Sequence, residues 1–471
     1  MKSYRNFQRL SGWMIILLLA GMAYACVDFA QNPIPLAQVS LPGTTSATIT
    51  PTPTFFSPFT NTPVPTETPT ITGTLAPTET PVPTITPITP LSLGTPFPTD
   101  GNEVINVLLL GADYSTGIIS RTDAIIIASI RPGDRMVTLI SIPRDLYVSI
   151  PGRGMNRINT AYVYGELDRY PGGGAALLRD TIYNNLGVTI DHMAMVNFDG
   201  FRQVIDTLSG IDVPLACPFA DYRLNGATGS LYWYSVGPGL VHMDGYTALW
   251  YARSRMSSND FDRGRRQQEI LRAIYTKALK LDIISQIPAL YQNFHEVVLT
   301  DMTLGDILGI VPLSLDIKVP RIRSFSISGP LVRSWITPGG GYVLLPNYDG
   351  IYRMLELALG PPAGEEVDHL RTVVDVWNLT PNSSWDALAA ERLNYAGYQT
   401  SFFPPVIQDA NITLLYDLTL EQNLEKSREL LALFGLSDAN LRSEPIGGEV
   451  SYRLVLGRDF NPCFAPFQIE R

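Results

Sequence analysis

Residues 104–142 read VINVLLLGADYSTGIISRTDAIIIASIRPGDRMVTLISI. Three strand-length apolar runs lie inside that stretch, Val104 to Leu110, Ala124 to Ile130 and Met136 to Ile142. Their apolarity is continuous, which is what a strand shows when both of its faces are covered. Helical spacing follows at Ala175 to Asn185, Phe198 to Leu208 and Arg263 to Leu281. The reading is an α/β fold, a central mixed sheet flanked by helices on both faces. Further strands are expected at Phe325 to Ser328 and Tyr342 to Leu345, before Pro361-Pro362-Ala363-Gly364 marks a break. That bounds a main domain at 101–360. A small α/β C-terminal domain follows at 368–460, with strands at Val373 to Trp377, Ile412 to Tyr416 and Tyr452 to Leu456. Its helices are expected at Trp385 to Ala396, ended by Gly397, and at Gln422 to Phe434.

Working outward toward the N-terminus, residues 31–100 are dominated by Pro and Thr and carry no Lys or Arg. Such a segment buries too little apolar surface to repay ordering and reads as a disordered linker. Biased to polyproline II, a stalk of this length reaches about 200 Å when fully extended. Ahead of it, Lys2, Arg5 and Arg9 precede an apolar run from Trp13 to Val27, which predicts a cytoplasmic N-terminus and membrane anchor over 1–30 with everything else outside. A lipid-modified Cys26 or a cleaved signal peptide are the rival readings, and both also place the remainder outside the cytoplasm. Cys217 and Cys463 are the two cysteines left for that exterior. They either close one disulfide or stay as two buried thiols.

With 471 residues and 45 % hydrophobic content the chain holds two folded units plus attachments. A net charge of −10 argues against sequence-independent nucleic-acid binding, which needs a broad basic surface. Any anion site must be local. No lysine occurs between Lys2 and Lys277, yet arginine is frequent, and the planar guanidinium suits multi-oxygen anions better than a point charge does.

Arg253 and Arg255 end the apolar run Ala248 to Ala252, which reads as a strand that puts both on one face. The segment Asp262-Arg263-Gly264-Arg265-Arg266-Gln267-Gln268 then opens a helix on which Arg263, Arg266 and Gln267 align. Asp113 follows the first strand, Arg121 and Asp123 open the second on a shared face, and Arg144-Asp145 follow the third. In open α/β sheets ligands collect at the carboxyl ends of strands. Carboxylates beside arginines suit Mg²⁺ held against a pyrophosphate. The chain has no phosphate-loop, nucleophile-elbow or H-E-x-x-H motif. His192, His242, His295 and His369 lack metal-ligand spacing and read as packing or surface residues, and Gly172-Gly173-Gly174 as a helix entry.

Seven segments in order resemble the successive motifs of the LytR-CpsA-Psr family: Leu108 to Asp113, Arg121-Thr122-Asp123, Ser141 to Asp145, Arg157 to Tyr162, Asp244 to Leu249, Tyr251 to Arg255 and Asp262 to Gln268. Val373 to Thr380 and the Leu388-Ala389-Ala390 helix resemble that family's accessory C-terminal domain, with Asn378-Leu379 where Asn-Gly is usual. The resemblance implies a metal-dependent phosphotransferase that moves a teichoic acid-like glycopolymer from undecaprenyl pyrophosphate to peptidoglycan. It implies Asp113 and Asp123 as ligands to Mg²⁺ or Mn²⁺, and Arg121, Arg144, Arg253, Arg255, Arg263, Arg266 and Gln267 as the pyrophosphate-binding set. Asp123 or Asp145 would assist deprotonation, and apolar residues of 177–215 would help line a tunnel for the polyprenyl tail. Where the family often has an arginine soon after the first aspartate, Tyr114-Ser115-Thr116-Gly117 stand here. A non-catalytic polyprenyl-phosphate or wall-binding protein and a pyrophosphatase are the competing readings.

Overall fold

The computed structural model describes residues 101–112, 121–226, 228–255, 260–281, 298–314, 317–402 and 410–464. The anchor, the linker and Asp113 lie outside these residues. Among the described residues no helix is long and apolar enough to cross a membrane, and all of them fall in one compact unit.

The described residues begin with three strands, β1 (Ile105–Ala112), β2 (Thr122–Arg131) and β3 (Met136–Ser141), then the hairpin β4 (Tyr147–Ile150) and β5 (Gly154–Arg157). Helices α1 (Ala161–Leu167) and α2 (Gly173–Leu186) lead to β6 (His192–Val196), α3 (Phe198–Thr207), β7 (Ile211–Leu215), β8 (Phe219–Leu224), β9 (Leu231–Val236) and β10 (Gly239–Met243). Next come α4 (Gly245–Arg253), α5 (Asp260–Lys280), β11 (Val298–Thr300), α6 (Leu304–Ser314), β12 (Ile322–Ser326), β13 (Val332–Ile336), β14 (Tyr342–Pro346) and α7 (Tyr348–Leu359). The chain continues through α8 (Gly364–His369), β15 (Val373–Asn378), α9 (Trp385–Tyr395), β16 (Gln399–Phe402), β17 (Leu414–Asp417), α10 (Leu424–Leu433), β18 (Leu441–Ser443) and β19 (Tyr452–Leu456).

The main sheet has the order β11-β6-β1-β2-β3-β12. It is mixed: β6 runs parallel to β1 and β12 parallel to β3, while β2 is antiparallel to both of its neighbours. One face packs Val107, Leu109, Ile126 and Leu139 against Val204, Ala248 and Ile270 of α3, α4 and α5. The other packs Leu108, Leu110, Ile125 and Ile127 against Leu178 and Ile182 of α2 and Leu355 of α7. Cover on both faces is why the strands read as unbroken apolar runs. A second, five-stranded sheet has the order β16-β15-β19-β17-β18, with Ala389 and Leu393 of α9 and Leu430 and Leu431 of α10 in its core.

Two sequence readings change or resolve. The run Ala248 to Ala252 is the helix α4, not a strand. Asp244 caps it by accepting from the Thr247 backbone N–H at 2.7 Å. Ala248, Trp250, Tyr251 and Ala252 are all buried, and a short helix buried on most sides has the same apolar run as a buried strand. Gly245 lets α4 press onto α3, since a Cβ there would stand 2.4 Å from the Arg202 carbonyl oxygen. Cys217 and Cys463 are bonded, S–S 2.09 Å, tying the C-terminal end of the chain to the segment between β7 and β8.

Candidate functional site

The parallel relations bring the C-terminal ends of β1, β3 and β6 to one edge of the sheet, together with the start of antiparallel β2. At that edge the pairing slips. Gly111 faces Ala124 and Ala112 faces Thr122, so Asp123 is the extra residue of a β-bulge. A bulge re-aims its side chain, and Asp123 lines a cavity on the α3, α4 and α5 side of the sheet. Strict alternation would have sent it to the opposite face. Gly111 permits the close approach, since a Cβ there would meet the Ala124 Cβ at 3.1 Å.

A line of alternating charge crosses this edge. Arg255 Nη2 lies 3.8 Å from Asp123 Oδ1, and Arg144 Nη1 donates to the same oxygen at 2.7 Å. Arg144 Nε stands 3.4 Å from Asp145 Oδ2, and Arg157 Nη1 donates to Asp145 Oδ1 at 3.2 Å. The two aspartates differ in environment. The Asp145 side chain is 7 % exposed with a guanidinium on each oxygen, whereas that of Asp123 is 33 % exposed and both its contacts fall on Oδ1. Asp145 therefore orients two arginines, while Asp123 keeps an oxygen for a ligand. One carboxylate beside phosphate oxygens is a donor set that Mg²⁺ or Mn²⁺ accepts, so the residues present fit such an ion at Asp123 and not at Asp145.

Helices α4 and α5 form the opposite lip. Arg253, at the end of α4, is exposed, and its guanidinium lies 3.8 Å from the centroid of Phe198. Arg255 follows one turn-breaking residue later. On α5, Gln267 lines the cavity, with its Nε2 3.4 Å from the Ala252 carbonyl, and Gln268 is sewn to the sheet through Ser141 Oγ and the Phe325 carbonyl, 2.8 Å each.

Arg266 has a different place from the one its spacing suggests. It is 1 % exposed, donates to the carbonyls of Tyr251 (2.9 Å) and Ser254, and lies 4.7 Å from the Phe219 centroid. It braces the end of α4 from beneath, and burial lowers its pKa from the usual arginine value. Arg263 is buried as well, at 5 %. Beside them burial pushes the Glu269 carboxyl up, while Arg265 and the Tyr251 hydroxyl pull it back. Arg121 is exposed at the start of β2 and makes no hydrogen bond or ion pair among the described residues.

Below the charged rim the cavity, about 110 Å³, is walled by apolar side chains including Leu109, Ile126, Phe201, Val204, Leu249 and Ile274. Only the later part of 177–215 contributes, from Val196 to Val204. Leu177, Leu178, Ile182 and Leu186 belong to the core on the far face of the sheet. Sequence reading left two contributors unassigned. Arg157 sits inside a quoted motif, and the segment Asn197-Phe198 directly after β6 was a positional signal for the same edge.

An open mixed α/β sheet whose described edge carries the guanidiniums of Arg144, Arg157, Arg253 and Arg255 and the accessible carboxylate of Asp123 above an apolar slot is shaped for an amphipathic anion. The chain belongs to the LytR_cpsA_psr family, whose profile matches residues 82–350. It is 34 % identical over 204 residues to the polyisoprenyl-teichoic acid–peptidoglycan teichoic acid transferase TagU of Oceanobacillus iheyensis, covering 43 % of this chain and 60 % of that one. It is 28 % identical over 235 residues to the corresponding transferase TagT of Bacillus subtilis, covering 49 % and 69 %. Among solved structures it is similar to B. subtilis TagV, with 27 % identity, 55 % of this chain and 98 % of that chain covered, and a TM-score of 0.44. The chain spans 60 to 64 % of the length of the TagU relatives from O. iheyensis, Bacillus licheniformis and Enterococcus faecalis.

Proposed function

We propose that this chain is an extracytoplasmic phosphotransferase that moves a glycopolymer from a polyprenyl-pyrophosphate carrier to a peptidoglycan hydroxyl. The observation that carries the reading is the apolar cavity opening directly under Asp123, Arg253 and Gln267, a match for a lipid whose head is a pyrophosphate. Membership of a family whose members include teichoic acid transferases supports it. The basic N-terminus followed by an apolar run supports a cell-membrane anchor with the folded part outside. Net charge of −10 speaks against nucleic acid as partner.

In this reading the acceptor oxygen attacks the phosphorus that carries the glycopolymer. The bond from that phosphorus to the bridging oxygen breaks, polyprenyl phosphate departs, and the acceptor proton passes to a carboxylate, Asp123 or Asp145, of which Asp123 is the more accessible. Arg144, Arg253 and Arg255 neutralise the charge that gathers on the phosphates and hold them in line. Asp145 keeps Arg144 and Arg157 oriented. Asp123, accessible at the rim, is the carboxylate placed to hold Mg²⁺ or Mn²⁺, with Asp113 as the second ligand implied by resemblance. Such an ion supplies further charge neutralisation at the phosphates.

The test is release of polyprenyl phosphate from a synthetic polyprenyl-pyrophosphoryl saccharide, with and without a peptidoglycan oligomer and Mg²⁺, for the wild type, Arg255→Ala and Asp123→Ala. Transfer that needs the acceptor and falls at least 100-fold in both variants supports the proposal. Release to water alone makes the chain a pyrophosphatase, and tight lipid binding without turnover makes it a carrier-binding protein.

A further inference from the structure

Away from that site, three side chains from two helices converge in the C-terminal unit. His369, the last residue of α8, is 2 % exposed and stacked on Tyr398 with ring centroids 4.4 Å apart. Its Nδ1 lies 3.0 Å from the Ala396 carbonyl oxygen, which only accepts, so Nδ1 carries a proton. Nε2 points the other way and has no hydrogen-bond partner although it is buried. Around it stand Glu429 Oε1 of α10 at 3.0 Å and Glu365 Oε1, one helical turn earlier in α8, at 4.0 Å.

The three atoms lie within 4.8 Å of one another, and each offers a lone pair. Electron-rich atoms this close repel unless a positive charge sits among them. Nε2 approaches Glu429 Oε1 to 3.0 Å without meeting hydrogen-bond geometry. Lys426 does not fill the gap either, since its Nζ is spent on Glu429 Oε2 at 3.4 Å and on Asp368 at 3.0 Å.

We propose that His369 Nε2, Glu429 and Glu365 bind a divalent transition-metal ion of the Zn²⁺ type. One imidazole and two carboxylates, with an open position for water, is a donor set of that class, and the imidazole disfavours Mg²⁺ and Ca²⁺. The Nδ1–H bond to a backbone carbonyl is the outer contact that fixes a metal-ligating histidine in its tautomer. Glu365 is 76 % exposed on its side chain, which leaves an entry path. The ion fastens α8 to α10. Because Glu366 of the same short helix pairs with Arg323 of β12 at 3.3 Å, the metal locks the segment that joins the two sheets.

The test uses the full-length chain, stripped with a chelator and titrated with Zn²⁺ and with Mg²⁺ against a chromophoric competitor, alongside Glu365→Gln and His369→Gln. The expected result is one Zn²⁺ per chain, bound at least ten-fold more weakly in both variants, with a rise in Tm that both variants lose. Visible absorption of a Co²⁺-loaded sample reports an imidazole ligand that His369→Gln removes. Glu365→Gln alters only an exposed side chain, so its result stands even where His369→Gln unfolds. Equal Zn²⁺ affinity in the wild type and Glu365→Gln, or no Zn²⁺ binding at all, overturns the proposal and leaves the three side chains as a polar cluster that holds no metal.

Discussion

Arg266→Met separates bracing the site from touching its ligand. In the wild type the guanidinium is 1 % exposed and, among its contacts, donates to the Tyr251 carbonyl at 2.9 Å and to the Ser254 carbonyl, with Phe219 against its plane. A hydrogen bond from a charged donor is worth about 1.5–3 kcal/mol, and the orphaned carbonyls add a desolvation cost. Against that, methionine fills much of the same volume and removes a charge whose burial is costly. The balance is a loss of about 2–4 kcal/mol, or a drop of about 1 M in urea midpoint at an m near 2–3 kcal/mol/M. Because the lost bonds hold the end of α4, affinity for a polyprenyl-pyrophosphate analogue falls in proportion to how far Arg253 and Arg255 are displaced. Arg253→Ala should do the reverse, changing stability by less than about 0.5 kcal/mol while weakening binding by ten-fold or more. The measurement is a urea titration by near-ultraviolet dichroism paired with analogue binding for both variants. Unchanged stability with abolished binding in Arg266→Met would refute the reasoning and return Arg266 to the ligand.

Cys217→Ser or reduction should cost about 2–4 kcal/mol, since the bridge spans 246 residues of chain; a denaturant series with and without reductant measures it. Asp244→Ala removes the cap of α4 and should cost about 1 kcal/mol. Burial pushes the Asp244 carboxyl up, but the Thr247 side-chain and backbone bonds and the charges of Arg223 and His242 outweigh it and hold it below 3.8. The cap's contribution is therefore present above that pH and lost as pH falls through the folded-state value, so the gap between wild type and variant should close in acid. Ala252→Trp, which thrusts a large ring into the cavity, should abolish binding of a long-chain polyprenyl pyrophosphate and spare that of inorganic pyrophosphate. Equal losses for both ligands would show that the cavity does not hold the tail.

The fold was legible because its signals are local. Continuous apolar runs in β1 to β3 and a 3.6-residue period in α2, α3 and α5 survive without any knowledge of partners. The site was legible in composition and less so in geometry. Arg144, Asp145 and Asp123 do meet, because parallel and antiparallel pairings bring their strand ends to one edge. What failed depends on tertiary context. Ala248 to Ala252 reads equally as strand or helix until its burial is known. Asp123 reaches the cavity through a bulge that no spacing rule reveals. Arg266 lies on the same helical stripe as Gln267, yet only packing decides that one guanidinium turns into the protein under α4 while Gln267 faces the cavity. His369 lacks ligand spacing in the sequence because one of its neighbours, Glu429, lies sixty residues further along the chain.

The helix α5 joins the C-terminal sheet to the site. Its N-terminal half carries Arg266 and Gln267 under and beside the rim, and Gln268 pins it to the sheet. Toward its other end Arg272, whose side chain is 3 % exposed, donates to Glu391 of α9 at 2.8 Å and to the Ile322 carbonyl at 2.8 Å. A buried guanidinium must be answered by an acceptor, and that carboxylate comes from the C-terminal unit. The same unit is tied back by the Cys217–Cys463 bond just before β8, the strand whose Phe219 lies against Arg266. Both attachments therefore bear on the elements that hold the end of α4.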